Sequence, residues 1–214
     1  MLEWYRLDAD YFSLMSDCEE LLAYIADSVV FSEFSADNQA ITASRKRIQQ
    51  IFESTSHQIS VTEAFQKWSP VPLKKALEGD LFDEILVEHI EPKLGIKQPT
   101  FLYDYPAVLA SLSRKKAEDQ NIAERFELYV AGLELANGFS ELTDPEEQRA
   151  RFLADLTAIE SQTGRVQEMP EKFVRDLEKI DRAAGIALGV DRLFMLVLGK
   201  ETVHDAVTFS ADDM

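Results

Sequence analysis

Residues 125–144 read RFELYVAGLELANGFSELTD, and the interpretation of this stretch decides the fold. The residues up to Phe139 predict a β-hairpin turning near Ala131-Gly132. Two glutamates, Glu134 and Glu141, stand on either side of Asn137-Gly138 in a segment that is otherwise apolar or small. Glu134 alternates with Leu133 and Leu135, so it faces away from them. Seven positions later, in an unbroken strand, Glu141 would face the other way. Asn137-Gly138 is a natural place for a bulge, which would return both carboxylates to one side. Ionised carboxylates in such a strand need a cation or hydrogen-bond donors. Magnesium suits them, because it is commonly held by one or two carboxylates plus substrate phosphates. A wet sheet face carrying both acids is the alternative.

Around the hairpin, MLEWYR (1–6) predicts a strand, and Leu14, Cys18, Leu21, Leu22, Ile25 and Val29 mark a helix over 13–30. Residues 31–59 are polar and weakly patterned. Ser60-Val61-Thr62-Glu63 is a capping box for a short helix that Pro70 and Pro72 end, and a further helix over 81–90 closes at Pro92. TFLYDYP (100–106) predicts a strand. Asp144-Pro145 starts a helix that stops near Gly164, and another, with Phe173, Leu177 and Ile180, runs towards Gly185. GIALGV then predicts a short buried strand and VDRLFMLVLG an apolar helix. Locally paired strands with helices grouped between them indicate an α+β fold with an antiparallel sheet. Residues 1–214 form one domain in this reading, with a mainly helical subregion at about 10–95.

The composition narrows the function. The 214 residues carry 22 basic and 39 acidic side chains, a formal charge of −17. Nucleic-acid binders draw most of their affinity from phosphate contacts, so tRNA or DNA is not an expected partner. No apolar run is long enough to span a membrane and the N-terminus lacks a signal core, so a cytoplasmic protein is expected. Cys18, the single cysteine, falls on a helical apolar stripe and is expected to pack. His57, His89 and His204 have no paired metal-ligand spacing, and Ser111 and Ser113 lack a nucleophile elbow.

GIALGVDRLFML, 185–196, carries the second chemical signal. Gly185 and Gly189 allow close backbone approach, and Arg192 opens an otherwise apolar helix. Such an arginine needs an anion, either a phosphate or a structural carboxylate. Neither a Walker loop nor a dinucleotide fingerprint is present.

Taken in order, FLYDYPAVLASLSR, AERFELYVAGLELANGFSELTDPEEQRARF and GIALGVDRLFML resemble the catalytic domain of class II lysyl-tRNA synthetases, over most of residues 1–30 and 60–214. MLEWYR resembles the closing half of the family's second motif. Ala187, where true lysyl-tRNA synthetases typically have glycine, and LASLS in place of a Ser-Pro-Leu run point within the family to its stand-alone branch, which attaches lysine or β-lysine to a lysine of bacterial elongation factor P. The resemblance implies a class II synthetase-like antiparallel sheet flanked by helices, ATP and Mg2+ as cofactors, and an ATP-dependent ligase. It implies that Glu134, Glu141 and Arg192 are catalytic, with Glu134 and Glu141 holding the metal and Arg192 the ATP phosphates. Leu135 and Gly189 would adjoin the nucleotide. Glu3, Tyr5, Asn137, Glu141 and Ala187 would line the amino-acid site. Aminoacylation of tRNA, or amino-acid and nucleotide binding without catalysis, are its alternatives. The resemblance also implies about a hundred further residues before MLEWYR, bearing the homodimer interface and an arginine for the α-phosphate. The chain is thus expected to be an N-terminally shortened form of that domain.

Overall fold

A computed structural model describes residues 1–28, 39–109 and 112–208 of the chain. In chain order its elements are β1 (Leu2–Leu7), α1 (Tyr11–Ser28), α2 (Gln39–Phe52), β2 (His57–Ser60), α3 (Val61–Trp68), α4 (Leu73–Glu78), α5 (Phe82–Ile85), β3 (Thr100–Pro106), β4 (Ile122–Val130), β5 (Leu133–Ser140), α6 (Pro145–Thr163), α7 (Glu171–Leu177), β6 (Ala183–Leu188) and α8 (Val190–Val197). A π-helical turn, Leu86–Ile90, and a 3-10 turn, Glu91–Lys93, continue α5. The expectations for Ser111 and for residues 29 and 30 fall outside the described residues.

The hairpin forms as read. Ala131 and Gly132 both have positive φ, 55° and 81°, the backbone of a two-residue turn whose twist matches the strands it joins. Six strands assemble in the order β1-β6-β5-β4-β3-β2. Every pairing is antiparallel except β2 with β3, which is parallel. The sheet is thus mostly antiparallel, as expected, with one parallel pair at its edge, and β2 itself lies in the stretch read as unpatterned. The reason for the parallel pair is connectivity. Residues 61–99, with three helices, separate β2 from β3, and a crossover of that length permits parallel pairing where a tight turn does not. Helix α2 also escaped the reading, because Arg45 occupies a core-facing position between Ile41 and Ile48 and is only 3% exposed, its Nε donating to the Val197 carbonyl.

Period-two alternation divides the sheet. Phe126, Leu128, Val130, Ala184, Ile186 and Leu188 point to one face, where α1, α2 and α8 supply Leu14, Met15, Ile51, Phe52 and Met195. Cys18 is fully buried there, and burial, with help from Asp17 and Glu19, pushes its thiol up to about 12, so packing is its role. On the opposite face a second cluster, with Phe65, Phe82, Ile85, Leu102 and Tyr105, covers only the β2–β3 end. Helix α3 starts as expected, with Ser60 Oγ accepting the Glu63 N–H and Glu63 accepting the Ser60 N–H. Over β5, β6 and β1 the second face remains accessible, and Tyr5 is 67% exposed.

The hairpin turn is pinned from outside. The carbonyls of Leu94 and Gly95 accept the N–H groups of Gly132 and Ala131 at 3.0 and 2.7 Å. Gly95 has φ +69°, and a Cβ there would stand 2.5 Å from the Tyr129 carbonyl oxygen. Gly164, at φ +68°, ends α6 with nothing near its Cβ position. Gly164→Ala is therefore expected to cost only the left-handed penalty of about 1 kcal/mol, whereas Gly95→Ala adds a backbone clash and is expected to cost about 2 kcal/mol or more. Urea denaturation of the two variants measures the difference.

Candidate active site

The β4–β5 ladder shifts register between Leu128 and Tyr129: Leu128 pairs with Ala136 and Tyr129 with Glu134, leaving Leu135 as an extra residue. The expected bulge exists, but two residues before Asn137-Gly138. Gly138 has a different task, since a Cβ there would lie 2.8 Å from the Phe126 ring and 3.2 Å from Ile186 Cβ. The extra residue resets the alternation and puts Glu134 and Glu141 on the same, accessible face. The Leu135 side chain is sealed in the first core at 2% exposure, while its carbonyl accepts the Gly189 N–H at 2.9 Å and fixes the start of α8.

Pairing across strands sets the accessible face in rows. Glu3, Ala187, Asn137 and Glu127 are consecutive cross-strand partners, and so are Tyr5, Gly185, Phe139 and Arg125. Glu3, Tyr5, Asn137, Glu141 and Ala187 border one cavity of about 250 Å³. The Glu141 carboxylate overhangs Gly185 beside the Tyr5 ring, because a Cβ on Gly185 would meet Glu141 Oε1 at 2.5 Å and Tyr5 Cε1 at 2.6 Å. Burial pushes the Glu141 carboxyl up to about 7. The Tyr5 hydroxyl is raised by burial and by the charges of Glu141 and Glu3. No described residue donates a hydrogen bond to the Glu141 carboxylate or forms an ion pair with it. A half-buried acid without a partner is a receptor for a cation or an ammonium group.

At the other end of β5, Arg192 Nη1 donates to the Glu134 carbonyl at 2.7 Å and to its Oε2 at 3.3 Å. The Glu134 carboxyl is raised, by burial first and by neighbouring Glu127 next, with Arg192 opposing both. Gly189 lies under the Arg192 side chain, which passes 3.4 Å from the place of its Cβ. Glu127, 7% exposed, accepts from Arg125 at 2.7 Å, from Asn137 Nδ2 at 3.1 Å and from the Tyr129 hydroxyl at 2.7 Å. That hydroxyl also stands 3.1 Å from Glu91 Oε1. Sequence reasoning missed Glu127, Arg125, Tyr129 and Glu91. The first three form a polar stripe alternating with Phe126, Leu128 and Val130, a period-two signal that was present. Glu91 arrives from the turn after α5, and nothing local announced it.

From Glu134 to Glu141 the strand advances about six ladder positions, roughly 20 Å between backbones. Their side chains lie within that span: Glu141 overhangs Gly185, the partner of Phe139, and Glu134 feels the charge of Glu127, the partner of Asn137. Among the described residues no group of three or more His, Cys, Asp or Glu side chains is placed to hold a metal. Glu134 and Glu141, both on the accessible face, fit the sparser set magnesium accepts when phosphates and water complete its shell.

Residues 1–213 match the family of class II tRNA synthetases (D, K and N). The chain is 35% identical over 218 residues to the elongation factor P–(R)-β-lysine ligase of Proteus mirabilis, covering 98% of this chain and 64% of that protein. The ligases of the same name from Pectobacterium carotovorum and Avibacterium paragallinarum are 34% and 33% identical, over 99% and 100% of this chain and 65% of theirs. The chain thus spans just under two thirds of the length of these relatives.

The Glu141 carboxyl is expected to titrate near pH 7, against the usual carboxylate range near 4.5, as followed by carbon NMR of its carboxyl signal. Because the folded value is the higher one, the stability tied to this group is complete below about pH 4.5 and is lost as pH rises through about 7. Glu141→Gln is expected to flatten that part of the stability profile in pH-dependent denaturation.

Proposed function

The chain belongs to the class II tRNA synthetases (D, K and N), and from that premise we propose that it activates lysine or β-lysine with ATP as an adenylate and transfers it to a lysine of elongation factor P. The unpartnered Glu141 carboxylate carries this reading. With Glu3 and Tyr5 it makes an acidic, partly dry cavity suited to a side-chain ammonium, and an ammonium bound there gives Glu141 the countercharge it lacks. Asn137 supplies a polar wall and Ala187 narrows the floor between Glu3 and Asn137.

In the reaction, a carboxylate oxygen of the amino acid attacks the α-phosphorus of ATP, the bond to the β-phosphate oxygen breaks and pyrophosphate leaves. The amine of the acceptor lysine then attacks the carbonyl of the mixed anhydride, AMP departs, and the amine's proton goes to solvent. Arg192, at the start of α8 and exchanging Glu134 for phosphate, supplies a permanent positive charge at the nucleotide end of β5. Glu134, with Glu141, would hold Mg2+, which when bound neutralises phosphate charge. Arg125, Asn137 and Tyr129 donate to Glu127 and hold it in one orientation. Since no side chain needs to become covalently modified, the work is positioning and charge stabilisation. A protein acceptor also accords with the charge of −17, which opposes a phosphate backbone.

Lysine-dependent or β-lysine-dependent exchange of pyrophosphate into ATP tests the first half, and a mass increase on elongation factor P tests the second. Glu141→Gln is expected to lower kcat/KM for the amino acid by about 30-fold or more, since a hydrogen bond to a charged group contributes about 2 kcal/mol. Binding of lysine and ATP without any exchange would make the chain a sensor and not a ligase.

A further inference from the structure

The most acidic of surfaces can hide a basic spot, and this chain has one. Between the C-terminal end of α3 and residues 93–98 lies a cavity of about 250 Å³ bordered by Lys67, Trp68, Lys93, Ile96, Lys97 and His57. Arg47 reaches the same loop, its guanidinium donating to the Ile96 carbonyl at 3.4 Å. Lys67 Nζ stands 4.6 Å from the centre of the Trp68 ring. None of Lys67, Lys93 and Lys97 forms an ion pair among the described residues, although the chain has 39 acids to offer. Glu63, an acid close enough to His57 to feel its charge, is occupied by the Ser60 cap. Like charges gathered without counterions repel one another, so this arrangement is stabilised by an incoming anion. Its floor is apolar and aromatic, which a bare inorganic anion would not use.

The position is also informative. His57, Thr100, Tyr129 and Glu134 are successive partners across β2, β3, β4 and β5. At about 4.8 Å per strand, the pocket's end of that row stands about 15 Å from Glu134, although Thr100 and Tyr129 between them are buried, so a bound segment would pass around the second core. We propose that this pocket docks an acidic peptide segment of the protein acceptor, two or more carboxylates meeting Lys67, Lys93 and Lys97 while an adjacent apolar side chain rests on Trp68 and Ile96. The identification of the occupant as the acceptor rests on the function proposed above; the pocket's preference for an acidic, apolar-bearing peptide does not.

The test follows the indole N–H signal of Trp68 by NMR, with Trp4 as the internal reference, while the synthetic peptide Glu-Glu-Phe-Glu-Glu is added. The expected result is a saturable shift of Trp68 that weakens with salt, is absent with Lys-Lys-Phe-Lys-Lys, and weakens by about tenfold or more in the K67E/K93E/K97E variant. The milder K67Q/K93Q/K97Q variant gives the same direction. No shift, an equal shift in the reversed variant, or an equal shift with pyrophosphate or a short oligouridylate would overturn the pocket. Amino-acid-dependent pyrophosphate exchange, measured on the same samples, separates the two readings. Unchanged exchange with reduced transfer to elongation factor P supports acceptor docking, and unchanged transfer overturns it. Absent exchange in the unsubstituted chain overturns the ligase reading alone.

Discussion

One extra residue in β5 governs the chemistry of this chain. Strand side chains alternate strictly, so two acids seven positions apart would look out of opposite faces, and one of them would enter the packed side of the sheet. Placing Leu135 outside the ladder removes that conflict. Its side chain stays in the core, its carbonyl anchors Gly189, and both glutamates emerge where water and ligands reach them. A bulge costs ladder hydrogen bonds, and here that cost is offset by relieving a buried, unpaired carboxylate, which is the larger penalty.

The accessible face then separates into two electrostatic regions. Around Glu127 and Glu134 the acids are met by Arg125, Asn137, Tyr129 and Arg192, so charge is balanced and the side chains are held. Around Glu141 and Glu3 there is no such balance, and burial alone shifts the Glu141 carboxyl. The first region has its charges met within the chain, and the second suits a cation or an ammonium group that would balance Glu141.

The helices set these regions in place, and α8 adds Arg192 to the first of them. α1, α2 and α8 press on the far side of the sheet, and α3 to α5 cover the β2–β3 end. That uneven cover leaves β5, β6 and β1 as the working surface. It also brings Glu91, carried by the turn after α5, to the Tyr129 hydroxyl. The family relationship accounts for this layout as a whole, and the physical reasons for each part lie in the register and in the two cores.

Local rules were enough for much of this. The Ala131-Gly132 turn, the Ser60–Glu63 capping box, the Asp144-Pro145 start and Gly164 stop of α6, and the apolar α8 are all decided by residues within one or two turns of each other. Glu3, Tyr5, Asn137, Glu141 and Ala187 were legible as a group through motif order, and they border one cavity. Other features were decided elsewhere in the chain. The bulge sits at Leu135, and Gly138 instead admits the Phe126 ring from the neighbouring strand, whose position no local pattern contains. Glu127 stands beside Glu134 because distance across a hairpin is shorter than distance along a strand. β2 is parallel, α2 hides a core arginine, and Glu91 joins the site from afar for the same reason: sequence specifies which faces are apolar, and only packing decides which of them meet.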